Sequence, residues 1–216
     1  MQKVTKDYKV FSFDELSEES KTKVLEDNRN INTEFSDNYV VEDETERLQE
    51  LGFEDVKIFY RGFWSQGDGA CFEGSLDNSG VEKFLRAQKR LSHYKTLYRA
   101  MRDGSIYINI KISHSGHYYH EYMTDTDDMT EMQDNSELEG ELAKEWEDFI
   151  TFLDNRVYGK VDLTKNCGEG WIIDRNREIY KNLEAGYEAD ISDEAVADTL
   201  RANEYGYLAD GTQFNG

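Results

Sequence analysis

Apolar residues recur at steps of three and four along several stretches of the chain, which is the spacing of one helix face. The strongest example runs from Leu138 to Leu153, and the longest runs from Val81 to Met101. Ser17 and Ser192 stand directly before two other stretches and are suitable N-cap residues. The pattern predicts six helices, at about residues 18–29, 40–51, 81–101, 138–153, 171–183 and 193–203.

Alternation of apolar and polar residues predicts strands in two further regions. The clearest pattern lies at 106–113, where isoleucines alternate with polar residues. The polar segment 125–137 is predicted to be a loop, and the tail 205–214 to close a small hairpin. Four strands are predicted, at residues 56–61, 70–76, 106–113 and 117–124.

The order of these elements predicts an α+β fold. Because the strands arrive as two hairpins, we expect a mainly antiparallel sheet of four or more strands, covered by about five to six helices. We expect residues 1–216 to form a single α+β domain, with a helical C-terminal part from about residue 137.

Acidic residues dominate the charge. The 216 residues include 46 Asp and Glu against 25 Lys and Arg, for a net charge of −21. This charge repels phosphate backbones and anionic lipid, so we expect no direct nucleic-acid binding, no membrane binding and a protein partner with a basic surface. Cys71 and Cys167 have no metal-ligand spacing, and no apolar run is long enough to span a membrane. We therefore expect a cytoplasmic protein with free thiols.

Charge is unevenly distributed along the chain. Residues 121–154 hold 13 acids and one base, whereas residues 81–102 hold seven bases and one acid. The basic segment either relieves repulsion among neighbouring acids or binds an anion or a partner. The acidic segment is either a solvated face or a mimic of nucleic-acid phosphates that occupies a basic groove. Five glutamates are the candidate contacts of such a mimic: Glu137, Glu139, Glu141, Glu145 and Glu147.

A glycine-rich segment between the first two strands is the first candidate site. It lacks the Gly-Lys-Ser/Thr ending of a phosphate-binding P-loop and leads into a strand rather than a helix. Three interpretations stay open: a hairpin loop whose polar side chains satisfy its backbone, a recognition surface, or a catalytic site. The candidate binding residues are Arg61, Trp64, Ser65, Gln66 and Asp68.

A histidine cluster is the second candidate site. In an extended strand His114 and His120 share one face and His117 lies on the other, which is poor geometry for a single ion. The spacing matches no zinc signature, and we predict no metal and no cofactor. A bulge at Gly116 would change the geometry, so a three-ligand metal site with Glu121 or Asp68 stays open as an alternative. His117 and His120 are candidate binding residues, or general acids in a catalytic alternative.

The two candidate sites are predicted to meet if the two hairpins pair in one sheet. Trp64, Gln66 and Asp68 would then lie near His117 at one sheet edge. The alternative function is a small enzyme or ligand-binding protein with its site between the Arg61–Cys71 loop and the His114–Glu121 hairpin. In that case Arg61 holds an anionic group and His117 or His120 moves a proton.

Four segments resemble a group of small acidic proteins encoded by tailed bacteriophages, some of them labelled antitoxin-like. They are FSFDELS at 11–17, YRGFWSQGDGACFEG at 60–74, SGHYYH at 115–120 and DEAVADTLRANEY at 193–205. The resemblance covers the chain nearly end to end and carries over no catalytic residues. It implies a phage protein in the host cytoplasm that blocks a host or rival system. We therefore predict an acidic binding protein that inhibits a host defence factor, a toxin or a nucleic-acid-binding enzyme.

Overall fold

Seven α-helices and six strands make up the chain that the computed structural model describes, which is residues 7–134, 137–157 and 170–214. The side chains of residues 34–38 are outside this description, as is Cys167. The helices are α1 (Glu18–Asp27), α2 (Thr33–Glu50), α3 (Asn78–Ala87), α4 (Lys95–Asp103), α5 (Gly140–Leu153), α6 (Trp171–Asp190) and α7 (Asp193–Ala202). The strands are β1 (Glu54–Arg61), β2 (Gly69–Asp77), β3 (Ile106–Tyr107), β4 (Asn109–His114), β5 (Thr124–Asp128) and β6 (Glu131–Met132).

The chain divides into two compact units, one formed by Met1–Val40 with Leu183–Gly216 and the other by Val41–Asn182. In the first unit the predicted caps are present, because the hydroxyl oxygens of Ser17 and Ser192 accept hydrogen bonds from backbone N–H groups in the first turns of α1 and α7. Its core is apolar and consists of Phe13, Leu16, Val24, Val196, Ala197, Leu200 and Tyr207. None of the helices in the described ranges combines the length and apolar character that crossing a membrane requires.

The second unit contains the sheet, and it confirms the α+β prediction. Four antiparallel strands lie in the order β1-β2-β4-β5, so two hairpins are joined through β2 and β4. Strands β3 and β6 form a separate two-stranded sheet. Ile110 and Ile112 point into the core from β4, and Asn109 and Lys111 alternate with them on the exposed face. Beneath the sheet the Trp171 ring stacks on Phe53 and meets Phe84 edge-on, with centroid distances of 5.4 Å and 4.8 Å.

The partner of β4 differs from the prediction. The predicted strand at 117–124 is wrong, since those residues form turns and bends until β5 begins at Thr124. The predicted loop 125–137 is also wrong, because it contains nearly all of β5 and the whole of β6. Strand β5 has no apolar residue, and the side chains on one of its faces make hydrogen bonds. The Thr126 hydroxyl donates to Asp154 at 2.8 Å, and the Trp146 indole N–H donates to Asp128 at 2.9 Å. A polar strand of this kind carries no hydrophobic periodicity.

The predicted helix 81–101 is wrong in its middle, where α3 ends and α4 starts anew. Lys89 has a φ of 55°, and the backbone N–H groups of Lys89 and Arg90 bond to the carbonyls of Arg86 and Leu85. This Schellman arrangement ends a helix, usually with glycine at the left-handed position. The buried Tyr94 follows, and burial together with its hydrogen bond to Asp148 raises the pKa of Tyr94 to about 12.

A buried carboxylate links α2 to α6 within the second unit. Glu44 is 1% exposed and accepts hydrogen bonds from Arg175, from Arg47 at 2.5 Å and from Asn182 at 2.8 Å. Arg175 also donates to Glu178 at 2.7 Å. A buried charge is tolerated only with such partners, so this cluster ties the two helices to each other.

Candidate binding groove and acidic surface

Two loops meet at one end of the strands of the four-stranded sheet. The β1–β2 loop (residues 62–68) and the β4–β5 loop (residues 115–123) lie together because β2 and β4 are antiparallel neighbours. Glycines make the approach possible. A Cβ added to Gly69 would lie 2.6 Å from the Cα atom of His120, and one added to Gly67 would lie 3.2 Å from the Tyr118 ring. No larger residue fits at Gly69 without displacing the second loop.

The β4–β5 loop is held by side chains where the strand ladder stops. Pairing between β2 and β4 ends at Gly74 and Ile112. Beyond it, the Glu73 carboxylate accepts a hydrogen bond from the His114 N–H at 3.1 Å.

Asn176 of α6, which is fully buried, completes this attachment. Its side-chain oxygen accepts from the Phe72 N–H at 3.2 Å, and its amide nitrogen donates to the Glu121 carbonyl at 3.0 Å. These bonds replace the missing ladder bonds and satisfy buried backbone groups while the loop turns away from β2.

An open groove of about 660 Å³ results between the two loops. It is lined by Gln66, Gly67, Asp68, Tyr118, His120, Glu121 and Tyr122. The lining contains two carboxylates and three rings, and no Lys or Arg is among these residues. We call this feature the loop groove.

Asp68 lines the loop groove and also has a structural role in the β1–β2 loop. Its Oδ2 atom accepts hydrogen bonds from the backbone N–H groups of Trp64 at 2.9 Å and Ser65 at 2.6 Å. Gly62, with a φ of 52°, lies so close that an added Cβ would be 2.7 Å from the same oxygen. The polar side chain of Asp68 therefore orders the β1–β2 loop, as the hairpin-loop interpretation predicts.

The three histidines of residues 114–120 have different surroundings. His120 lines the groove, and its Nδ1 atom accepts from the Tyr122 N–H at 3.3 Å, which leaves the proton of the neutral ring on Nε2. His114 lies 2.9 Å from the Tyr118 carbonyl through Nε2 and stacks on Phe59. His117 is exposed outside the groove. Within the described residues no three His, Cys, Asp or Glu side chains are grouped for a metal ion.

The predicted loop residues divide into two groups. Gln66, Asp68 and His120 come together in the loop groove. The others are exposed and do not line it: Arg61, Trp64 (72% exposed), Ser65 and His117. The second loop lines the groove through Tyr118, His120, Glu121 and Tyr122 rather than through His117.

Sequence reasoning missed the residues of α6 that support the groove. Arg177 contacts the Glu121 carboxylate through Nε at 3.3 Å and donates to the Tyr122 hydroxyl at 2.6 Å. Its guanidinium lies over the Tyr122 ring, 5.5 Å from the centroid. A signal for Asn176 did exist, because this amide sits on the apolar stripe of Ile172 and Ile179, where a polar residue needs buried partners.

The acidic segment forms a surface along β5 and the start of α5. Its exposed carboxylates define what we call the acidic surface: Asp125, Asp127, Glu131, Glu137, Glu139 and Glu141. Two of the five predicted glutamates are placed differently. Glu145 accepts from the Leu97 N–H at 2.7 Å and so satisfies the first turn of α4, and Glu147 is half-buried.

The basic segment presents exposed cations on α3, α4 and the turn between them. Arg86 pairs with Glu82 at 2.7 Å, and the Arg90 guanidinium lies 4.0 Å from the Phe152 ring centroid. In the described ranges no carboxylate is within ion-pair distance of the remaining basic side chains, which are Lys83, Lys89, Lys95, Arg99 and Arg102. Any relief of acidic repulsion by these cations acts at longer range.

Together the fold and these features define an acidic α+β protein with a loop groove at one end of its sheet strands. The chain belongs to the family described as Domain of unknown function (DUF8835), whose sequence model matches residues 37–193. No curated protein and no solved structure matches the chain.

Proposed function

We propose that the protein is a non-enzymatic binding protein whose acidic surface occupies a basic groove on a protein partner. In line with the resemblance to phage proteins, the partner is a host defence factor, a toxin or a nucleic-acid-binding enzyme in the host cytoplasm. The protein blocks it by taking the place of nucleic acid.

The observation that carries this proposal is that the carboxylates of the acidic surface are exposed. Asp125 and Asp127 are exposed on one side of β5, and alternate strand residues lie roughly 7 Å apart, so their charges form a row. Glu137 and Glu139 continue the negative surface before α5. Lys144 is the one base in residues 121–154, and it approaches Glu141 only to 3.9 Å. Such a field attracts basic surfaces and repels phosphates.

The chemistry around the groove favours binding over catalysis. Burial raises the pKa of the Cys71 thiol to about 12, so this thiol is a poor nucleophile. Asp68 is engaged by backbone N–H groups, and His117 lies outside the groove. These features support a recognition role for the loops.

A single exposed carboxylate contributes little, about 0.2–1 kcal/mol per ion pair, so the proposed affinity rests on several contacts. Contacts of this kind weaken with salt, because charges farther apart than about 8 Å are screened at physiological ionic strength. Steep salt dependence is therefore a property of the proposed mode of action.

The experiment captures partners from host lysate and then measures the affinity of the purified partner at several salt concentrations. The test variant reverses three charges of the acidic surface, Glu137→Lys, Glu139→Lys and Glu141→Lys. The matched control reverses three exposed acids of α1, Glu19→Lys, Glu26→Lys and Asp27→Lys, and changes the net charge equally.

We expect the acidic-surface variant to lose about tenfold or more in affinity at low salt, and the control about twofold or less. Equal losses in the two variants would show that net charge alone is responsible. Affinity that does not change with salt would contradict the proposed mode of action.

A further inference from the structure

We propose that the loop groove binds an arginine side chain from a basic segment of the protein partner. This inference rests on the proposed function, and it names the group that the second recognition site takes. The loop groove and the acidic surface share no residue, so each is tested with its own variants.

The groove wall already holds one guanidinium of this chain. Arg177 is bound by a carboxylate and a tyrosine that follow each other in sequence, Glu121 and Tyr122. The contact combines a charge-assisted bond at 3.3 Å, a hydroxyl acceptor at 2.6 Å and a ring 5.5 Å from the guanidinium carbon. Carboxylate and aromatic face together are the preferred surroundings of arginine.

The same two kinds of group occur a second time in the groove, without an arginine of this chain. Asp68 and Tyr118 line the groove, and in the described ranges no Lys or Arg is within ion-pair distance of Asp68. Only the Oδ2 atom of Asp68 accepts hydrogen bonds from the loop, which leaves Oδ1 for a ligand. The Tyr118 ring rests against Gly67 and is 53% exposed.

The charge of the lining selects a cation. Asp68 and Glu121 are the charged residues of the lining; Glu121 is paired with Arg177, so the Asp68 carboxylate is the charge of the lining that a cationic ligand would meet. A guanidinium suits the site better than an ammonium, because it is planar, stacks on a tyrosine face and donates several hydrogen bonds at once. A volume of about 660 Å³ accommodates the flanking peptide as well as the side chain.

The test titrates the full chain with three short peptides, Ac-Gly-Gly-Xaa-Gly-Gly-amide, in which Xaa is arginine, lysine or citrulline. Citrulline has nearly the shape of arginine and no charge. Backbone amide shifts report where each peptide binds. We expect saturable shifts at residues 66–68 and 118–122, with arginine at least about threefold tighter than lysine and no saturation with citrulline.

Variants then separate the ring contact from general attraction to an acidic protein. Tyr118→Ala is expected to lower the affinity for the arginine peptide about threefold, and Tyr118→Phe to keep it, because the ring face makes the contact. The matched control is Tyr107→Ala, since Tyr107 is a 75% exposed tyrosine that does not line the groove.

Several results would overturn the inference. They are citrulline binding as tightly as arginine, shifts confined to residues 125–128 and 137–141, or equal losses with Tyr118→Ala and Tyr107→Ala. The variant with Glu137, Glu139 and Glu141 changed to Lys is expected to retain the groove shifts. If it retains them and still captures the partner with full affinity, the proposed function fails and the groove inference stands.

Discussion

Two sets of carboxylates in the second unit differ in what surrounds them. Glu44 and Asp154 are each 1% exposed and are surrounded by donors, with Arg175 and Arg156 as their main partners. The carboxylates of the acidic surface are exposed, and Lys144 is the one base among residues 121–154. Both sets count equally toward the net charge. Only the second set is exposed to solvent, so the count of acids overstates the negative charge that the surface presents.

The largest expected effect comes from Glu44→Ala. Removing this carboxylate leaves Arg175 buried without its partner, and breaking a buried pair costs about 3–5 kcal/mol. Urea unfolding of the full chain measures the change in the free energy of unfolding. Glu42→Ala is the control, because Glu42 is an exposed acid of the same helix, and we expect a change within about 0.5 kcal/mol. A cost for Glu44→Ala below that of the control would erase the distinction between the two sets.

A smaller loss, about 1.5–3 kcal/mol, is expected for Asp154→Asn, which weakens bonds to a charged donor. Burial raises the pKa of Asp154, but the hydrogen bonds from Arg156 and Thr126 outweigh it and hold the pKa below its ordinary value of 3.8. The ionised form is therefore the stabilising one. Its contribution is complete above the ordinary pKa and is lost as pH falls through the lowered value.

The stability difference between wild type and Asp154→Asn is accordingly expected to be constant near neutral pH and to shrink below about pH 4. Denaturant unfolding at a series of pH values measures it. Asp125→Asn, on the exposed side of β5, provides the comparison and is expected to change little. A difference that grows on acidification would mean that the neutral form of Asp154 is the stabilising one.

Glu145→Ala sharpens the comparison, because Glu145 belongs to the acidic segment 121–154 but its carboxylate accepts a hydrogen bond from the first turn of α4. Loss of its bond to the Leu97 N–H is expected to cost about 1 kcal/mol, the usual value of a helix N-terminal acceptor. Glu141→Ala at the exposed position four residues earlier is expected to be neutral. Thermal and urea unfolding of the two variants measure the difference, and equal stability would mean that Glu145 does not stabilise the N-terminus of α4.

The smallest effect is expected when Glu137, Glu139 and Glu141 are all changed to Gln. Their side chains are exposed, so the free energy of unfolding should change by no more than about 0.5 kcal/mol per site. The sign is expected to be stabilising at low salt, since the protein loses part of its self-repulsion. A destabilisation of several kcal/mol would reveal buried partners for these residues and remove them from the proposed binding surface.

Much of the fold is predictable from local patterns. Ser17 and Ser192 mark two helix starts because a hydroxyl acceptor is needed there whatever the tertiary structure. The β1–β2 hairpin also follows from its alternating pattern, whereas the partner of β4 does not, because β5 is polar. The helix end at Lys89 is not predictable in this way, because the residue in the left-handed conformation is a lysine rather than the usual glycine.

The site is less predictable than the fold, because its residues act through tertiary partners. Glu141 and Glu145 have the same chemistry and similar positions in the helical pattern. Only the N-terminus of α4, brought beside Glu145, separates their roles. Asn176 likewise contacts Phe72 and Glu121, which lie far away in sequence.

Strand β5 has a further consequence for the behaviour of the protein in concentrated solution. In the described part of the chain it is an outer strand of the sheet, and such a strand can template pairing with another molecule. Asp125 and Asp127 would bring like charges together if two copies met edge to edge, and this repulsion opposes fibril growth. A partner that presents lysines or arginines meets no such barrier. The charges of β5 therefore disfavour edge-to-edge pairing between two copies of the protein.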